Sequence, residues 1–179
     1  NQRTSFFVLS WFRGGSIVLP MLVAAAVIAA IAGAPGWDHE LLASGAYKYA
    51  PYLQPGDLDT VLRAGRLEFY KEGAAATVSV RTVTGVRSLA IDGKVDASNG
   101  ADMLTQRLLG LLPVLLHGRA RSLAVIGLGS GVTVGSALAP GTVEHVDVVE
   151  ISPEVVTASR FFDAENGREL WVFDPKIDR

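Results

Sequence analysis

Three glycines in the run Val125-Ile126-Gly127-Leu128-Gly129-Ser130-Gly131 follow a short apolar stretch and precede Val132, where a buried strand has to turn sharply into a helix. Glycine in such a turn lets a ligand approach bare backbone. The dinucleotide fingerprint G-x-G-x-x-G needs its third glycine at position 132, where Val132 stands, so the spacing is G-x-G-x-G. About 20 residues beyond the loop, Glu150 closes a second apolar run, and a carboxylate at that separation can accept hydrogen bonds from both hydroxyls of a ribose. Without a ligand such a strand-end acid is expected to be solvated. A tight turn and a solvated acid explain either feature alone; the loop, its flanking elements and the spaced acid together point to a nucleoside site.

Other chemistries find less support. The chain has no cysteine, which excludes a disulfide framework, a thiol nucleophile and a Cys-based zinc site. His39, His117 and His145 are dispersed without metal-ligand spacing, so no metal is expected. Gly129-Ser130-Gly131 lacks the wider G-x-S-x-G frame of a nucleophile elbow. With 16 Lys+Arg against 18 Asp+Glu and a net charge of −2, the basic residues are scattered and no nucleic acid is expected as partner.

The elements that must position these residues read off the periodicity. Ser122 to Ile126 and Val143 to Glu150 are buried strands; Val132 to Leu138 starts a helix, and Ser152-Pro153-Glu154 caps another that runs to about Glu165. Strand, glycine loop, helix, strand, helix is a βαβα unit with a parallel sheet. Asp102 to His117 carries a helical apolar stripe that bends or weakens at Pro113. From Leu67 to Ser98 the period is two, and Asp92-Gly93 signals a type I′ hairpin, so a small antiparallel sheet precedes the α/β part. Asp38 to Arg66 is a polar and aromatic connector with a short helix at Leu58 to Arg63. Ile17 to Ala34 is an uncharged run of 18 residues, about 27 Å as a helix, and reads as one transmembrane helix. The domains expected are 1–36 with the membrane helix at about 17–34, a connector over 37–66, a β-hairpin domain over 67–100, and the N-terminal part of an α/β domain over 101–179.

G-x-G-x-G between a strand and a helix is the spacing of S-adenosylmethionine folds. Taken in order, Ile91-Asp92-Gly93, the Asp102 to Pro113 helix with Thr105-Gln106 inside it, Gly127 to Gly131 and Glu150-Ile151-Ser152-Pro153 resemble the spermidine/spermine synthase (aminopropyltransferase) family, nearest its bacterial membrane-fused members. That resemblance implies a methyltransferase-like (Rossmann-like) α/β domain behind a small antiparallel β-domain. It implies aminopropyl transfer from decarboxylated S-adenosylmethionine to putrescine or a similar small amine, without a metal. It places Gln106, Gly127, Gly129, Ser130, Gly131, Glu150 and Ile151 on the cofactor, and Asp102 and Thr105 on the amine. Thr105 stands where the family has a tyrosine, and Ser130 where soluble members have an aspartate that binds the cofactor's amine. The alternatives are an S-adenosylmethionine-dependent methyltransferase and a non-catalytic nucleotide-binding module of a membrane protein.

The resemblance puts the catalytic base and an adenine-side acid beyond Asp178-Arg179, and the chain opens on Asn1, so the sequence reads as an internal, truncated fragment expected to be inactive alone. No catalytic residue is assigned within it. The expected location is the cell inner membrane with the α/β domain facing the cytoplasm, where such cofactors are made; a homodimer is compatible with the family. The count of Arg3 and Arg13 before the apolar run against Lys48 after it runs the other way.

Overall fold

The computed structural model describes residues 17–167. The chain divides between Trp37 and Asp38 into two compact units.

In the first, helix α1 spans Val18–Ala32, and its side chains are exposed on every face. Fifteen residues rise about 22 Å, short of the roughly 30 Å of bilayer hydrocarbon. The helix closes at Gly33, whose N–H bonds to Ala29 O at 2.9 Å, two residues before Pro35. The transmembrane helix expected over 17–34 is corrected accordingly: among the described residues no helix is long and apolar enough to cross a membrane. Arg3 and Arg13 lie outside the described residues.

The second unit begins with the connector. Two four-residue helices, α2 (His39–Leu42) and α3 (Ala46–Tyr49), precede a 3-10 turn and α4 (Leu58–Leu62). Asp38 caps α2 by accepting from Leu41 N–H at 3.1 Å. Four strands follow, β1 (Arg66–Glu72), β2 (Thr77–Val83), β3 (Val86–Ile91) and β4 (Lys94–Ser98), in an antiparallel meander. Two-residue turns join β2 to β3 and β3 to β4, with positive φ at Thr84 and Gly85 (48° and 86°) and at Asp92 and Gly93 (50° and 76°). Both turns have the positive φ pair of type I′ geometry.

Val78 and Val80 of β2 point to one face of this sheet and join the core, while Ser79 is buried on the other. There Arg81 donates to Ala64 O and Glu40 O and pairs with the Glu40 carboxylate at 2.8 Å, tying the connector down.

Helix α5 (Met103–His117) passes through Pro113 without ending. The proline lies on the exposed side of the helix, where its missing N–H leaves the Leu109 carbonyl without its usual helical donor. Strands β5 (Ser122–Ile126) and β6 (His145–Val149) pair in parallel, Ser122 with His145 through Ile126 with Val149. Helix α6 (Val132–Leu138) bridges them and packs on α5 so closely that a Cβ on Gly110 would lie 2.1 Å from Thr133 O. Helix α7 (Pro153–Ala158) is shorter than the expected run to Glu165 and tightens into a 3-10 turn over Ser159–Phe162. The Ser159 hydroxyl donates back to Val156 O, and Ser159 O is taken by the Asn166 amide, so carbonyls that would extend the helix have other donors. Two core clusters hold the unit together: in one, Val78, Val80 and Leu89 from the meander meet Leu128, Val134, Val155 and Phe162, and in the other Val114 of α5 meets Ala137 and Val143.

Candidate functional site

The glycine loop leaves β5 with all three glycines at positive φ: 86° at Gly127, 54° at Gly129 and 82° at Gly131. Leu128 between them is 4% exposed and anchors the loop in the core. A Cβ added at Gly127 or Gly129 would meet nothing within 4 Å, so the side of the loop away from the core is open space. Glycine is required there by dihedral angle and keeps the space clear.

Glu150 follows β6 directly and turns its carboxylate back onto the loop. Its Oε2 accepts from Leu128 N–H at 2.8 Å and its Oε1 from Ser152 N–H at 2.9 Å. The expectation of a solvated strand-end acid is thus corrected, because two backbone amides fix the half-buried group. Each oxygen keeps a further lone pair, enough for a pair of vicinal hydroxyls. Ile151 beside it is exposed, an apolar surface next to the acid.

Below the acid, Ser152 caps α7 and its hydroxyl donates to Glu154 Oε2 at 3.0 Å. The Glu154 backbone N–H, the Ser152 hydroxyl and Lys71 hold this carboxyl below the usual carboxylate range, against the opposing effect of burial.

Asp102, Gln106 and Ser130 come together, but mainly with one another. The Asp102 carboxylate accepts from Ser98 N–H at 2.9 Å, from the Ser98 hydroxyl, and from Gln106 Nε2 at 2.8 Å. The second Nε2 hydrogen of Gln106 goes to Ser98 O at 2.7 Å. Gln106 Oε1 accepts from the Ser130 hydroxyl at 2.5 Å, and Ser130, 2% exposed, accepts in turn from Val132 N–H at 3.3 Å. Thr105 stays apart, exposed on α5.

One participant was not legible in the sequence. Asn166, 1% exposed, donates its side-chain amide to Ser130 O at 3.0 Å and to Ser159 O, gripping the loop from the far side. In Glu165-Asn166-Gly167 it carries only the signal of a turn. The histidines do not converge: His39 stacks on Tyr70 at 4.3 Å, His117 ends α5, and His145 faces Asp147.

No family model matches the chain. Polyamine aminopropyltransferases from Lachnoclostridium phytofermentans and a Ruegeria species are 30% and 35% identical over 74 residues, 41% of this chain and 26% of theirs. That of Pseudomonas syringae pv. tomato is 32% identical over 76 residues, 42% of this chain and 27% of its own. The chain spans about a quarter of the length of these relatives. Spermidine synthase from Thermotoga maritima superposes with a TM-score of 0.53 at 19% identity, over 57% of this chain and 36% of that one. A spermidine synthase in complex with the transition-state analogue AdoDATO gives the same figures. At that identity the structural likeness is one of fold. Motif order, curated relatives and fold agree that this chain is similar to the spermidine/spermine synthase (aminopropyltransferase) family.

Proposed function

We propose that the protein carrying this chain transfers an aminopropyl group from decarboxylated S-adenosylmethionine to putrescine or a similar small amine. The observation that carries this reading is the Glu150 carboxylate, held by Leu128 and Ser152 amides over an open glycine loop. Sequence similarity to polyamine aminopropyltransferases supplies the reaction class. In this reading Glu150 accepts the ribose hydroxyls, Gly127, Gly129 and Gly131 leave room for the nucleoside, and Ile151 flanks its base. Thr105 faces the amine side.

The amine nitrogen attacks the propyl carbon bonded to the sulfonium; the C–N bond forms and the C–S bond breaks. The electron pair stays on sulfur as 5′-methylthioadenosine, and the proton leaves the new ammonium for a base. No residue among those described is assigned that base. The sulfonium is already a good leaving group, so holding the two reactants in line accounts for much of the rate.

A second reading is favoured by Ser130, which brings no negative charge to the loop: methyl transfer from ordinary S-adenosylmethionine. Mass spectrometry of the full-length protein incubated with putrescine and each cofactor decides. Spermidine and 5′-methylthioadenosine in equal amounts uphold the first reading, whereas S-adenosylhomocysteine and a methylated acceptor support the second. Calorimetric absence of binding by both cofactors leaves a non-catalytic module.

Location at the inner membrane, α/β part on the cytoplasmic side, belongs to the same proposal. It is supported by the uniformly apolar exposed surface of α1 and by the cytosolic origin of such cofactors. Protease cleavage after Pro35 in intact spheroplasts would contradict it.

A further inference from the structure

The hydrogen bonds among Ser98, Asp102, Gln106 and Ser130 run in one direction, and the direction is forced. A carboxylate only accepts, so Gln106 must turn its NH2 toward Asp102, and the second hydrogen of that group meets Ser98 O, another acceptor. Its carbonyl is thereby presented to Ser130, whose hydroxyl donates to it and accepts from Val132 N–H. Every polar atom of the Gln106 side chain is then engaged within the protein. The hydroxyl of Thr133, the second residue of α6, also donates to Gln106 O at 3.1 Å. The start of α5 thus grips both ends of the loop-to-helix junction, while Ser98 fixes α5 to the end of β4.

We propose that Asp102 and Gln106 are positioning residues, which hold the glycine loop in its ligand-ready shape through Ser130 and do not touch the ligand. The idea rests on the nucleoside site proposed above, and it departs from the roles on amine and cofactor that the family resemblance implies for these two residues.

A charge contact and a positioning contact respond differently to Asp102→Asn. The asparagine oxygen can keep the bonds from Ser98 N–H and Gln106, while its NH2 faces the Ser98 hydroxyl, which already accepts from Gly100 N–H at 3.0 Å and takes the new bond on its second lone pair. Asp102→Ala removes the anchor, Gln106→Glu sets a carboxylate against two acceptors, and Ser130→Ala deletes only the last link. The readouts are amide hydrogen exchange over residues 128–132 and calorimetric affinity for S-adenosylmethionine and its decarboxylated form, in the full-length protein. Asp102→Asn should stay within about twofold of the parent in both, whereas the other three should exchange about tenfold faster and bind about tenfold more weakly.

An Asp102→Asn protein that loses affinity for the decarboxylated cofactor as strongly as Asp102→Ala, with loop exchange unchanged, makes Asp102 a charge contact and overturns the proposal. Unchanged exchange in Gln106→Glu and Ser130→Ala overturns it as well. Should Asp102→Ala fail to fold, the Ser130→Ala arm decides alone. If the unaltered protein binds neither cofactor, the nucleoside site falls, and the exchange ranking by itself upholds or overturns the positioning role.

Discussion

At the scale of single residues, Glu150 ties the glycine loop to the start of α7, and under the proposed function its substitution should register in both stability and ligand affinity. In Glu150→Gln the new NH2 faces a backbone N–H where an oxygen had accepted, so Leu128 or Ser152 loses its acceptor. A loss of about 1–2 kcal/mol in denaturant unfolding is expected, together with at least a tenfold fall in cofactor affinity, about 1.4 kcal/mol. Unchanged affinity with lowered stability would leave Glu150 a structural residue. Glu154 offers a test by pH. Its folded-state pKa lies below the unfolded value, chiefly through its own backbone N–H and then through Ser152 and Lys71. Its contribution is therefore fully present above the ordinary carboxylate pKa and is lost as pH falls through that range and below it. Melting temperatures between pH 6 and pH 3 should fall less steeply in Glu154→Gln than in the parent; parallel curves would mean that Glu154 does not titrate with folding.

Among the elements, the α5–α6 contact depends on Gly110. A methyl group there would lie 2.1 Å from Thr133 O, a backbone atom on a packed helix, so the helices must separate. Gly110→Ala is expected to destabilise by about 1–3 kcal/mol despite alanine's better helix propensity, measurable as a lower urea midpoint. An unchanged midpoint would show that α6 gives way freely. Gly129→Val, at φ 54°, should lower both melting temperature and cofactor affinity, whereas Gly110→Ala acts mainly on the first. What the sequence revealed about these elements follows their physics. Asp92-Gly93 announced its turn because both residue types tolerate positive φ, but Thr84-Gly85 makes the same turn with a β-branched residue at φ 48°, which no turn rule favours. Helices α2 and α3 are a single turn each, too short to show a period. The early end of α7 depends on Asn166, which comes from later in the chain. The loop and the acid were visible through spacing, whereas the two amide bonds that orient the acid depend on how the strand end curls back, which spacing does not encode.

For the molecule as a whole, the order of β-meander, helix, glycine loop and parallel pair was legible, because each part announces itself by a period or a turn. Membrane crossing was read from an 18-residue apolar run, of which the described helix uses 15. Both core clusters are built from residues after Trp37. Removing residues 1–37 should therefore leave the melting temperature of the remainder within about 2 °C by calorimetry, while flotation with lipid vesicles is lost. A large drop in melting temperature would assign the apolar segment to the core. The connections also set a timetable. Adjacent meander strands are joined by two to four residues, whereas the parallel partners Ser122 and His145 stand 23 positions apart. Hairpins close in microseconds, and the parallel pair must wait for a longer loop search. Ser98, the last residue of the meander, thus pairs with β3 ahead of the glycine loop, and the core face of the sheet closes only when Leu128, Val134, Val155 and Phe162 reach it, so that loop and sheet complete each other.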